Sequence, residues 1–124
     1  MAKQKIAIIE DDLAISQMYR LKFEAEGYEI AVAENGQVGL ELIKNFKPHV
    51  VLLDMMMPLM NGDEVLRHLR AEDWGQDIPV LILTNVGKEE VSKSLDALNV
   101  HSYIVKAEMT PKQVVERIKE VLGG

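Results

Sequence analysis

Five side chains in this sequence have the types and spacing for phosphoryl chemistry around a hard cation: Glu10, Asp11, Asp54, Thr84 and Lys106. Each lies where a short apolar run stops. Ile6-Ala7-Ile8-Ile9 leads into Glu10-Asp11-Asp12, and Val50-Val51-Leu52-Leu53 into Asp54. Val80-Leu81-Ile82-Leu83 leads into Thr84, and Tyr103-Ile104-Val105 into Lys106. Carboxylates crowded within a few ångströms cannot all stay ionised unless a cation joins them. The chain has no cysteine, and His49, His68 and His101 are scattered away from the run ends. Mg²⁺ therefore fits best: it takes oxygen from one or two carboxylates, keeps several waters and accepts a phosphate oxygen. Asp54 beside such an ion would be a nucleophile for phosphoryl transfer, forming an acyl phosphate. That step asks for positioning and charge neutralisation more than for acid–base catalysis. Lys106 would bring a mobile point charge to one phosphoryl oxygen, Thr84 a hydroxyl to another, and the amides after Asp54 further donors.

For these residues to meet, the runs must be neighbouring strands of one sheet. Continuous β-branched and leucine runs read as strands buried on both faces, as in a parallel sheet covered by helices. All strand carboxyl ends then share one edge, where such folds place ligands. Between the runs the helical period appears. Ile15, Met18, Tyr19 and Phe23 mark one face of a first helix that stops near Gly27. Tyr28 to Val32 reads as a half-buried edge strand. Asn35-Gly36 opens a second helix with Gly39, Leu40, Ile43 and Phe46 inward, ended by Lys47-Pro48. A loop from Met55 to Asn61 precedes a third helix with Val65, Leu66 and Leu69 inward, and Val91, Leu95 and Leu98 indicate a fourth. In the fifth, Thr110, Pro111 and Gln113 form a capping box, and Val114, Val115, Ile118, Val121 and Leu122 form the apolar stripe. Strict alternation with right-handed crossovers predicts a doubly wound (βα)5 three-layer α/β sandwich. Its five-stranded parallel sheet has the order 2-1-3-4-5, with the switch point between strands one and three.

At 124 residues the chain fits one domain, and the expectation is a single unit over 1–124 with no output domain, or a fragment of a longer protein. The net charge of -6 argues against nucleic acid or anionic membrane as direct partners. No stretch approaches the roughly 20 apolar residues of a membrane span, and no signal-peptide core is present, so a cytoplasmic location is expected.

Taken singly, each of these residues has a blander meaning. An aspartate after a strand is usually a turn or a cap, and Asp12 is read as the N-cap of the first helix. A lysine at a strand end is usually solvated. Met55, Met56, Met57 and Met60 are read as loop packing, the three histidines as structural, and Trp74 as a partly exposed loop residue. The coincidence of polar groups at four strand ends is what favours a site.

The motifs Ile8-Ile9-Glu10-Asp11-Asp12, Leu53-Asp54-Met55-Met56-Met57-Pro58 with Asn61-Gly62, Leu83-Thr84 and Tyr103-Ile104-Val105-Lys106 give the chain a family resemblance. It resembles, over essentially its whole length, the receiver domain of bacterial two-component response regulators, which is flavodoxin-like. The resemblance implies a phosphorylation-dependent switch, not an enzyme acting on other molecules. Asp54 would accept a phosphoryl group from a sensor histidine kinase or phosphotransfer protein. Asp11 would bind Mg²⁺ directly and Glu10 through water, with the backbone carbonyl of Met56 as a further ligand. Thr84 and Lys106 would hold the phosphoryl oxygens, and Tyr103 would turn inward as Thr84 moves. The face of helix four, strand five and helix five would then change for a downstream effector protein, in a monomer that can dimerise on phosphorylation. The alternative is an adaptor that binds its partner without phosphorylation.

Two positions depart from the family. Ala107 follows Lys106 where a proline with a cis peptide is usual, and a cis non-proline bond costs about 3–4 kcal/mol. Asn99-Val100 replaces the usual Gly-Ala before strand five. Rival activities fit less well. A flavin carrier would need an anion-binding loop where Glu10-Asp11-Asp12 stands. An aspartyl-phosphate phosphatase would want a carboxylate at position 56. Met56 and Val86 are apolar and cannot orient water, which predicts slow loss of an acyl phosphate.

Overall fold

The computed structural model describes residues 3–57, 59–85 and 95–123. Five parallel strands form one sheet in the order β2-β1-β3-β4-β5: β1 Lys5–Ile9, β2 Glu29–Ala33, β3 Val50–Asp54, β4 Val80–Thr84 and β5 Ser102–Val105. This is the expected order. Central strands β3 and β4 are buried at every position, as their unbroken apolar runs require. The helices are α1 Leu13–Ala25, α2 Gly36–Phe46, α3 Gly62–Ala71 and a C-terminal helix, Pro111–Val121. The expected fourth helix falls mainly on residues 86–94, outside the described residues, as do Pro58 and Val86. Of its stripe, Leu95 is buried and Leu98 ends a short 3-10 turn, Asp96–Leu98.

Alternation along the strands sends side chains to opposite faces, and two cores result. On one face Ile6, Ile8, Leu52, Leu81, Leu83 and Ile104 pack with Tyr19 and Phe23 of α1 and with Val114, Val115 and Ile118 of the C-terminal helix. On the other, Ala7, Ile9, Val51, Leu53 and Ile82 pack with Ile43 of α2 and Val65, Leu66 and Leu69 of α3. Fully burying a side chain such as Phe23 stabilises by about 1.5–3 kcal/mol.

Local signals set the helix ends. Asp12 accepts from the backbone N–H of Ala14 at 2.9 Å and of Ile15 at 3.2 Å, and Asn35 accepts from Val38 at 2.9 Å. The capping box closes in both directions, Thr110 N–H to Gln113 Oε1 at 2.8 Å and Gln113 N–H to Thr110 Oγ1 at 3.2 Å. Such caps are typically worth about 1 kcal/mol. Asn99 has φ 57°, the left-handed conformation that asparagine tolerates best after glycine, which explains how it substitutes in the turn before β5. Strand β2 starts at Glu29, one residue later than expected. Tyr28 belongs to the turn, its N–H donating to the Phe23 carbonyl and its ring packed edge-on against Phe23.

Candidate functional site

Face parity decides which strand-end groups meet. Asp54 follows Val50 and Leu52 in phase, Glu10 follows Ile6 and Ile8, and Lys106 follows Ile104, so all three emerge on the α1 side of the sheet. Their side chains are joined there: Lys106 Nζ lies 3.0 Å from Glu10 Oε1 and 3.4 Å from Asp54 Oδ1. Thr84 has the opposite phase. It follows Val80 and Ile82 on the α2–α3 side, the side to which Tyr103 also belongs as the register partner of Ile82. Thr84 is buried, and Tyr103 is half-buried against that second core.

Glu10, Asp11 and Asp54 each offer a carboxylate oxygen, and the three oxygens lie within 4.8 Å of one another. Glu10 and Asp54 are buried, 0% and 3% exposed, whereas Asp11 faces solvent. Burial pushes the Glu10 carboxyl up to about 8, the adjoining Asp54 carboxylate adding to the rise and the Lys106 ammonium opposing it. For Lys106, burial pulls the other way, but the hydrogen bond to Glu10 and the charge of Asp54 prevail, and its pKa is raised. Glu10 Oε2 is buried with no hydrogen-bond partner. An orphaned carboxylate oxygen among acidic oxygens is a group that a hard cation or its bound water would satisfy. The donor set, all oxygen and without thiolate or imidazole, fits Mg²⁺.

The loop after Asp54 is tightly drawn. Met55 N–H donates to Leu83 O at 3.1 Å, and Gly62 N–H donates to Met55 O at 2.9 Å. Gly62 opens α3 directly beneath the site: a Cβ there would lie 2.5 Å from the Asp54 carbonyl oxygen. Its importance is not evident from spacing alone, although glycine just after a helix N-cap, where better helix formers are available, is a readable sign of close approach. Met56 is 71% exposed and Leu59, at φ 69°, is 76% exposed. Leu13, at the start of α1 after Asp12, is also exposed, so exposed apolar side chains follow both acidic strand ends.

The structure thus brings together Glu10, Asp11, Asp54 and Lys106, with Thr84 at the same edge on the opposite face. The histidines stay apart from it. His49 Nδ1 accepts from Lys5 N–H at the far edge at 2.9 Å, and His101 Nδ1 contacts Ser102 Oγ. No cis peptide occurs among the described residues, so the Lys106–Ala107 bond is trans, and Lys106 still reaches both carboxylates.

Comparison with known proteins gives a consistent picture. The sequence model of the response regulator receiver domain matches residues 6–119. The phosphate regulon transcriptional regulatory protein PhoB of Pseudomonas aeruginosa is 34% identical over 122 residues, covering 98% of this chain and 53% of PhoB. The response regulator MprA of a Mycobacterium species is 37% identical over 95 residues, covering 77% of this chain and 40% of MprA. The chain spans about half the length of the curated relatives it matches. Among solved structures, a CheY-like receiver domain protein from Methanospirillum hungatei superposes with a TM-score of 0.89 at 29% identity, covering 98% of this chain and 95% of that one. The chemotaxis protein CheY4 of Vibrio cholerae superposes with a TM-score of 0.89 at 25% identity, covering 97% and 99%.

Proposed function

The chain belongs to the response regulator receiver family, and from that premise we propose that it is a phosphorylation-driven signalling switch with Asp54 as phosphoacceptor. The observation that carries this reading is the cluster itself: three carboxylate oxygens within 4.8 Å, and an ammonium 3.4 Å from Asp54. An Asp54 oxygen attacks the phosphorus of a partner's phosphohistidine. The new P–O bond forms as the P–N bond breaks, and the imidazole leaves with the electron pair. Held by Glu10, Asp11, Asp54 and the Met56 carbonyl, Mg²⁺ would supply neutralisation of the phosphoryl oxygens. Lys106 exchanges Glu10 for a phosphoryl oxygen, a move its long flexible stem allows. The exposed Leu13, Met56 and Leu59 give the phosphodonor protein apolar side chains to rest on.

Phosphorylation adds about -1.5 to -2 charge and three strong acceptors. Thr84 is drawn toward them, and Tyr103, on the same sheet face, fills the space released. The altered face around β5 and the C-terminal helix is then read by a downstream effector protein. Turnover is confined to the chain's own phosphorylation and dephosphorylation.

The test is to incubate the protein with Mg²⁺ and a small acyl phosphate, then weigh it intact. One phosphoryl adduct is expected on the wild type and none on Asp54→Asn. No adduct with several donors, or an adduct that survives in Asp54→Asn, would remove Asp54 from the role.

A further inference from the structure

At the sheet edge away from Asp54, α2 and the 3-10 turn Asp73–Gly75 frame a cleft of about 240 Å³ lined by Ile43, Lys44, Lys47, Pro48, Trp74 and Ile78. Four of these are apolar, and the only charges are two ammonium groups. Both lysines are exposed, and among the described residues neither has an ion pair. No acidic residue occurs between Glu41 and Asp54, and Glu72, Asp73 and Asp77, which flank Trp74 on the facing wall, are outside the lining. The helix dipole accounts for Lys44, which sits in the last turn of α2. It also favours Lys47, the C-cap of that helix, whose left-handed conformation at φ 55° and ψ 60° ends it. It does not account for a tryptophan left 36% exposed.

The far wall is held rigidly. The Arg70 guanidinium donates to the carbonyls of Gly75 at 2.7 Å and Ile78 at 2.9 Å. Gly75 is packed so closely that a Cβ would lie 2.3 Å from the Leu69 carbonyl oxygen. The cleft is therefore preformed, which lowers the cost of filling it. Its volume falls below the roughly 300–1,000 Å³ of small-molecule sites and suits one inserted side chain.

We propose that this cleft docks an acidic segment of a partner protein, which inserts one aliphatic or aromatic side chain against Trp74 while its carboxylates meet Lys44 and Lys47. β3 and β4 begin beside the cleft and end at Asp54 and Thr84, so about 15 Å of strand separates the two edges. Docking here leaves the phosphorylation edge uncovered.

Trp74 is the only tryptophan in the chain, so its fluorescence reports on the cleft directly. The probe is a capped Asp-Glu-Phe-Glu-Asp peptide, with Lys-Lys-Phe-Lys-Lys and Asp-Glu-Gly-Glu-Asp as controls. A saturable change in Trp74 emission is expected for the first peptide only. It should weaken with salt and at least about tenfold in Lys44→Glu/Lys47→Glu. Lys47→Asn, which removes the charge yet tolerates the left-handed conformation, should weaken it about two- to fivefold. The double variant should still accept the phosphoryl adduct, showing that it folds. No saturable change to millimolar peptide, an equal response to the basic peptide, or indifference to the double variant would overturn the proposal. So would a dimer in sedimentation that the double variant abolishes, because the occupant would then be a second copy of this chain.

Discussion

Glu10 makes the metal-free protein less stable as pH rises, against the usual behaviour of a carboxylate in a salt bridge. Its carboxyl sits at about 8 in the folded chain against an ordinary 4.5. Between those values the native state holds a proton that the unfolded chain has released, so stability falls with increasing pH. The contribution is whole below pH 4.5 and is lost as pH climbs through 8. The ceiling on the slope is about 1.4 kcal/mol per pH unit, and Lys106, its own pKa raised, stays an ammonium throughout. In EDTA, urea unfolding at about pH 5.5 and about pH 7.5 should therefore differ by roughly 2 kcal/mol more in the wild type than in Glu10→Gln. The amide keeps the shape and cannot titrate, so the comparison cancels the histidines and the other acids. Mg²⁺ should flatten the trend, because binding requires the ionised carboxylate. Its stabilisation, about 2.7 kcal/mol at a hundred times Kd, should be larger at the higher pH. Equal slopes in wild type and Glu10→Gln, or a steeper loss with pH in Glu10→Gln, would refute the reasoning.

Gly62→Ala sets a methyl 2.5 Å from the Asp54 carbonyl oxygen and 2.9 Å from Met55 Cα. The loop must shift, at a cost of about 1–3 kcal/mol, and the adduct should form more slowly, measured by urea unfolding and a mass time course. Met56, exposed and apolar, offers nothing to orient a water. Met56→Glu or Met56→Asn should shorten the half-life of the acyl phosphate about tenfold, or 1.4 kcal/mol of barrier, followed by loss of the adduct after the donor is removed.

The strand order and the strand-end residues were legible because central parallel strands carry unbroken apolar runs that stop where burial stops. Which strand ends touch was less legible. Glu10 and Lys106 are 96 residues apart, and their contact depends on both sharing the phase of Ile8 and Ile104 across three intervening pairings. The same phase separates Thr84 from Asp54 by face while uniting Thr84 with Tyr103. Arg70 shows the limit. Its guanidinium also donates to the carbonyls of Leu98 and Asn99, at 2.8 Å and 3.0 Å, tying three loops that sequence spacing does not relate. Local propensity put the start of β2 one residue early because it could not foresee Tyr28 packing on Phe23.

Charge links the resting site to the switch. With all three carboxylates ionised against one ammonium the net charge would be near -2, which a divalent cation would cancel. Without the metal, protonation of Glu10 brings the site only to about -1, consistent with its raised pKa and with the orphaned oxygen on that side chain. Under the proposed function, phosphorylation would consume the Asp54 charge and substitute the larger one of the phosphoryl group, leaving an excess of about -0.5 to -1 that Mg²⁺ and Lys106 would not cover. In the proposed switch neutral donors would have to absorb it, and the buried Thr84 hydroxyl is a side-chain donor at that edge whose displacement would be passed along the opposite face. On this argument the switch responds to the mismatch in charge, and a metal-loaded, unphosphorylated chain has little reason to move.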